Sequence, residues 1–266
     1  MSILKNIFIF FINIVKNILA PKICFFCGKE GSFLCEDCFN KQDNFKGFCY
    51  ICKRKSDDFK IHKKCLIENK ILNGKNFNDK KIYLDRVIVM AHYKNNVIKK
   101  LIKYFKFFGK KDIGKELGEK LGIFVKNNIS LLKREYPQGE GFGPVELNNF
   151  VVIPVPLHFF KKIKRGFNQS EILGESFSKI LNIDYSTKVL IRKKYTRQQS
   201  KLNKIERLKN LDNAFIIKVN KVDIIDNKII FLVDDVISTG TTLNEIAKIL
   251  KQNGAKKVIG VCVASN

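Results

Sequence analysis

Acidic side chains are scarce in this chain of 266 residues: 25 Asp and Glu stand against 50 Lys and Arg, a formal charge of +25. The imbalance points away from cationic partners and toward anionic ones, namely nucleic acid, a membrane surface or phosphorylated metabolites. A composition heavy in Lys, Asn, Ile and Phe, as biased coding DNA produces, accounts for part of the excess. Unbroken apolar runs of bilayer length are missing too. The most apolar stretch, residues 3–19, is interrupted by Lys5, Asn6, Asn13, Lys16 and Asn17 and lacks the basic n-region and small-residue cleavage site of an export signal. Neither a transmembrane span nor export is expected. Its polar residues recur along one side, which predicts an amphipathic helix over residues 1–20, packed on the protein or lying on a membrane or partner surface. Cysteine is nearly absent beyond residue 65: Cys262 stands alone in an apolar run and reads as core.

The other seven cysteines cluster in short pairs: Cys24 and Cys27, Cys35 and Cys38, Cys49 and Cys52, then His62 with Cys65. Each pair has the two-residue spacing that lets both side chains share one tetrahedral ion, and such clustering points to metal in a reducing compartment rather than to disulfides. Eight ligands make two sets of four, one all cysteine and one with His62, and leave no position open for water, so the expected zinc is structural. Sequential ribbons would pair the first two knuckles on one ion; an interleaved arrangement would pair the first with the third. The spacing fits both. Residues 21–70 are read as this zinc module, and the polar segment 70–81, with Gly74 and several Asn, as a linker.

A third absence concerns the phosphate loops. The stretch 228–242, KIIFLVDDVISTGTT, contains neither GxxxxGK[ST] nor GxGxxG. It has an apolar run suited to a strand buried on both faces, two adjacent carboxylates, Asp234 and Asp235, and a turn of Ser238, Thr239, Gly240, Thr241 and Thr242 leading into a helix over 243–252. In open α/β sheets ligands bind beyond the carboxyl ends of the strands, and a helix start offers unpaired N–H groups to an anion. Gly240 permits a tight turn and the hydroxyls add donors. The two carboxylates repel phosphate but accept from sugar hydroxyls. One ligand bearing a phosphate and a vicinal diol satisfies both halves, as a ribose 5-phosphate does.

Elsewhere, residues 86–93 are strand-like, and 97–108 is helical with Ile98, Leu101, Ile102 and Phe105 on one face. Lys99, Lys100, Lys103 and Lys106, with Tyr104 and Phe107 near them, suit a nucleic-acid backbone with aromatics for stacking. Helix is expected over 109–132 and an exposed loop over 137–144. The apolar strand 151–156 closes on Pro154 and Pro156 and leads into a basic loop, residues 161–169, where Arg165 and Gly166 suit a pyrophosphate. The basic stretch 195–210, with Arg197, Gln199 and Arg207, reads as a mobile lid. A buried strand over 257–264 completes the strand–helix–strand alternation of a parallel sheet.

The 228–242 stretch resembles the phosphoribosyl pyrophosphate (PRPP) binding motif of type I phosphoribosyltransferases and matches it at every position. Together with the knuckles, Pro154-Val-Pro156, Arg165-Gly-Phe-Asn-Gln169 and the Arg197/Gln199/Leu202/Arg207/Asn210 stretch, it resembles the ComF family, associated with natural transformation in bacteria. The resemblance implies an α/β fold of the type I phosphoribosyltransferase kind over residues 82–266, a parallel sheet flanked by helices with the small zinc-binding module before it. It also implies a cytoplasmic role handling incoming single-stranded DNA, beside membrane-proximal uptake machinery and a helicase. PRPP with Mg2+ is the expected ligand, with Asp234 and Asp235 on the ribose hydroxyls. Two readings follow: a PRPP-binding protein of DNA uptake, or a phosphoribosyltransferase of nucleotide salvage that releases pyrophosphate and has no DNA role.

Overall fold

A computed structural model of the protein describes residues 21–41, 49–52, 54, 56, 59–68, 82–128, 147–193 and 214–265. The helix expected over 1–20, the linker over 70–81, the loop over 137–144 and the lid residues Arg197, Gln199 and Arg207 lie outside them. The chain divides into two compact units, Met1–Asn44 and Phe45–Asn266. In the first, Ile23 pairs with Glu30 as an antiparallel bridge, the Cys24 N–H donates to the Lys29 carbonyl at 2.9 Å, and a short helix, α1 (Glu36–Asn40), buries Cys38 and Phe39.

The second unit runs in chain order through α2 (Lys63–Glu68), β1 (Arg86–His92), α3 (Asn96–Phe107), α4 (Lys111–Asn127), β2 (Phe150–Pro154), α5 (Phe159–Arg165), α6 (Gln169–Leu181), β3 (Asp184–Tyr185), β4 (Leu190–Arg192), β5 (Phe215–Ile217), β6 (Ile229–Ile237), α7 (Thr241–Gln252) and β7 (Lys257–Ser265). Five strands form one parallel sheet in the order β1-β7-β6-β2-β3, while β4 and β5 pair antiparallel apart from it. β1, β2 and β6 are apolar and buried on both faces, as strands between two helical layers must be. The strands expected at 86–93, 151–156, 228–233 and 257–264 are all present. β6 continues beyond Val233, because Asp234, Val236 and Ile237 stay in register with Cys262, Ala264 and Ser265 of β7. Both aspartates therefore sit on the strand itself.

The order places β6 at the centre and β2 beside it. From β2 the chain crosses through α6 outward to β3; from β6 it crosses through α7 the other way, to β7. Parallel crossovers are right-handed, so connections leaving in opposite directions open a crevice at the carboxyl ends of β2 and β6. Helix packing sets its walls. Asn95 caps α3, its side-chain oxygen accepting from the Val97 and Ile98 N–H groups, and Ile98, Leu101, Ile102 and Phe105 are buried. α4 lies against α6 at a distance only glycine allows: a Cβ on Gly118 would stand 2.6 Å from the Leu173 carbonyl oxygen. The Asn168 side chain caps α6 by accepting from the Ser170 N–H at 3.2 Å and donates to the Val155 carbonyl at 3.0 Å, fastening the start of α6 to the exit of β2.

The basic loop expected over 161–169 is in fact a helix, α5, followed by a cap. His158 accepts from the Phe160 N–H at its start, and Gly166, at φ 77°, closes its end in the left-handed conformation. Seven residues with three lysines carry too little apolar periodicity for that helix to be read from sequence.

Candidate functional site

At the crevice, Asp234 Oδ1 accepts from the Ser170 hydroxyl and from the Asp235 backbone N–H, both at 2.9 Å. Asp235 Oδ1 lies 2.8 Å from Lys106 Nζ. The two carboxylates line a cavity of about 230 Å³ together with Lys106, Lys161, Arg165 and Arg192, so four cations face two acids. Arg165 is steadied by Gln169, whose Oε1 accepts from its guanidinium at 3.2 Å. Burial, and then the charge of Asp235, pushes the Asp234 carboxyl up to about 7, against the pull of the Asp235 N–H, Lys106 and Ser170. Burial and the charges of Arg192 and Arg165 push Lys161 below its ordinary value; burial also lowers Arg192, with Asp234 pulling it back. Crowded cations repel one another, and a polyanion in the cavity relieves that repulsion.

Beside the cavity, the loop after β6 joins α7. Gly240 is its N-cap at φ 76°, the Thr239 and Thr241 hydroxyls lie 2.8 Å apart, and Thr242 lines the cavity. Ser238, Thr241 and Thr242 are half-exposed and Thr239 is exposed. The arrangement offers hydroxyls and a helix start to one anion, carboxylates to hydroxyl donors, and a cationic wall to further anionic groups.

Two clusters could each hold a metal ion: Cys24, Cys27, Cys35 and Cys38, and Cys49, Cys52, His62 and Cys65, with the ligand atoms of each set within 4.8 Å of one another. The pairing left open by spacing is thus sequential. Cys27 Sγ and Cys35 Sγ are 3.6 Å apart, and Cys52 Sγ lies 3.3 Å from His62 Nδ1. Four ligands at 2.3 Å from a tetrahedral zinc stand about 3.8 Å apart, so the donor sets fit zinc. The Cys35 N–H, 3.4 Å from Cys24 Sγ, supplies the outer hydrogen bond that steadies a thiolate.

The phosphoribosyl transferase domain model matches residues 147–266, which include every element of the crevice after α4. Competence protein F of Haemophilus influenzae is 32% identical over 174 residues, 65% of this chain and 70% of that protein. The chain belongs to the ComF family. Competence protein ComFC of Bacillus subtilis is 30% identical over 160 residues, 60% of this chain and 56% of that one. The DNA utilization protein YhgH of Escherichia coli K12 is 34% identical over 112 residues, 42% and 48%. This chain's matches thus span about half the length of those two relatives. A solved allosteric regulatory enzyme of purine biosynthesis overlaps 60% of this chain and 29% of its own at 19% identity and a TM-score of 0.35, a likeness too distant to inform the site.

In this ComF chain the fold brings Asp234, Asp235, Arg165 and Thr242 to one cavity, as their residue types and order led us to expect. Gly166 instead spends its N–H on α5, donating to the Lys162 carbonyl at 2.7 Å, and its role there is to cap a helix. Lys99, Lys100 and Lys103 are exposed on α3. Lys106 is set apart from them: it follows Phe105 and lies four residues after Ile102, so it borders the buried face and turns to Asp235. Ser170 and Arg192 escaped the sequence reading as site residues, whereas Lys161 belongs to the basic loop expected to face an anion. Arg192 reaches the cavity from the short β4, which no periodicity marks; Ser170 had one signal, its place just after the Asn168 cap. Among the described residues no helix is long and apolar enough to cross a membrane.

Proposed function

We propose that the protein binds PRPP at the crevice and serves DNA uptake by handling single-stranded DNA. One observation carries the ligand: a carboxylate pair ringed by four cations at the carboxyl end of the central strand, with a hydroxyl-rich helix start alongside. A diol alone leaves the cations uncompensated, and a phosphate alone is repelled by the acids; PRPP carries both groups. Ser238, Thr239, Gly240, Thr241 and Thr242 take the 5-phosphate, Asp234 and Asp235 the ribose hydroxyls, and Arg165, Lys161 and Arg192 the pyrophosphate. Mg2+ bound with PRPP supplies further charge neutralisation, and the two carboxylates are hard oxygen donors of the type it accepts. Zinc in the two tetrads is structural.

The role with DNA rests on the printed names of the relatives, competence proteins and a DNA utilization protein, and on the exposed surface. Phe107, Phe108, Phe159, Phe160 and Ile163 are all more than 60% exposed, interleaved with Lys103, Lys162 and Lys164, and the Arg165 guanidinium lies 5.7 Å from the Phe107 ring centre. Bases stack on such rings while the lysines follow the backbone.

A transferase of nucleotide salvage is the second reading, and Asp234 favours it: a carboxyl near 7 can take a proton from an acceptor at neutral pH. Calorimetric titration of Mg2+ with PRPP tests the shared premise: the wild type binds and Asp235→Asn binds at least about tenfold more weakly. Equal binding by both removes the aspartates from the site. With binding intact, pyrophosphate release across a panel of nucleobases selects the salvage reading, and its absence together with salt-dependent binding of an oligonucleotide selects the DNA one.

A further inference from the structure

The second metal tetrad belongs to the same unit as the phosphate loop. Its first knuckle is Cys49-Tyr50-Ile51-Cys52, a tight turn in which the Cys49 N–H donates to the Arg54 carbonyl at 2.9 Å. Tyr50 is buried at 6% exposure, and its ring occupies the space in front of Gly240: a Cβ there would lie 2.7 Å from Cε2 and 3.0 Å from Cδ2. Gly240 therefore answers two demands at once, a left-handed backbone and an aromatic ring pressed against its α-carbon. The other end of the tetrad is fixed to the body of the sheet. Lys60 bridges to Arg86 of β1, and Phe59, fully buried, meets Phe124 of α4 edge-on with ring centres 6.1 Å apart. His62 and Cys65 follow directly on this anchored segment, while Cys49 and Cys52 carry Tyr50.

We infer that the Cys49/Cys52/His62/Cys65 site positions the phosphate loop, with Tyr50 as the positioning residue. The inference rests on the loop's reading as the 5-phosphate cradle. A metal ion held by the four ligands would join the knuckle to the anchored segment, and the knuckle's ring holds the 238–242 turn in its bound shape before any ligand arrives, so less ordering is lost on binding.

Tyr50→Ala and His62→Ala, each prepared with zinc and assayed for metal content, test this in two independent arms. Calorimetry with Mg2+ and PRPP should give a Kd raised about tenfold in Tyr50→Ala at unchanged zinc content, a similar rise in His62→Ala with one ion fewer, and no further rise in the double variant, because both act through one contact. Tyr50→Phe keeps the ring and should restore wild-type affinity. Hydrogen exchange needs no PRPP: amides of 238–242 should exchange faster in both variants while β1 and β7 keep their protection. Unchanged exchange in that loop, or additive losses of affinity, overturns the coupling. If exchange responds as expected but the wild type gives no heat with PRPP, the coupling stands and the ligand assignment falls.

Discussion

Replacing Asp234 with Asn should stabilise the ligand-free protein while abolishing its ligand affinity. The Asn side-chain oxygen can keep both hydrogen bonds that Asp234 Oδ1 accepts, from Ser170 and from the Asp235 N–H, while the charge is lost and Oδ2 gives way to an amide NH2. An aspartate in the unfolded chain ionises near 3.8, whereas folded Asp234 does so at about 7, raised by burial and by Asp235. Below 3.8 both states hold the proton. Between the two values only the unfolded chain releases it, so the folded state loses stability as pH rises through that window and the loss stays constant above 7. About three pH units at about 1.4 kcal/mol each set a ceiling of about 4 kcal/mol. Asp234 is not wholly enclosed and structure relaxes around a charge, so about 1–2 kcal/mol is expected at pH 8. For a chain of this size that raises the melting midpoint by roughly 2–8 °C. Thermal melts of metal-loaded wild type and variant between pH 5 and 8.5 should show a gain that grows to pH 7 and then levels. A variant less stable than wild type at pH 8, or a gain independent of pH, refutes the assignment of a carboxyl raised by burial and by Asp235.

Gly118→Ala should cost about 1–3 kcal/mol in urea unfolding, because the new methyl meets the Leu173 carbonyl and α4 must move off α6. Elemental analysis should find two zinc ions per chain, and Cys52→Ser should remove one while the Cys24 set keeps its own. Replacing Phe159 and Phe160 together by Ala should weaken single-strand binding by about 1–3 kcal/mol per stacked base without changing its salt slope, whereas Lys162→Ala and Lys164→Ala should flatten that slope. A fluorescence titration over a range of salt separates the two effects.

The sequence by itself determined what is local and periodic. Continuous apolar runs announced β1, β2, β6 and β7, because a strand covered on both faces has no polar side to confuse with anything else. The carboxylate pair and the Ser/Thr turn were legible because they stand within a few consecutive residues at the end of an apolar run. The two tetrads that could hold metal were legible for the same reason, since each pair spans only four residues. What only the tertiary structure decided depends on contacts across long separations. Strand order set the crevice between β2 and β6, and it delivered Arg192, Ser170 and Lys106 from three elements that are remote in sequence. Sequential pairing of the knuckles, the helix at 159–165 and the ring of Tyr50 on Gly240 are likewise properties of folded neighbours. A period or a motif fixes which groups a segment can offer; only the packed chain fixes which of those groups face one another, because burial, and not sequence distance, sets their charge and geometry.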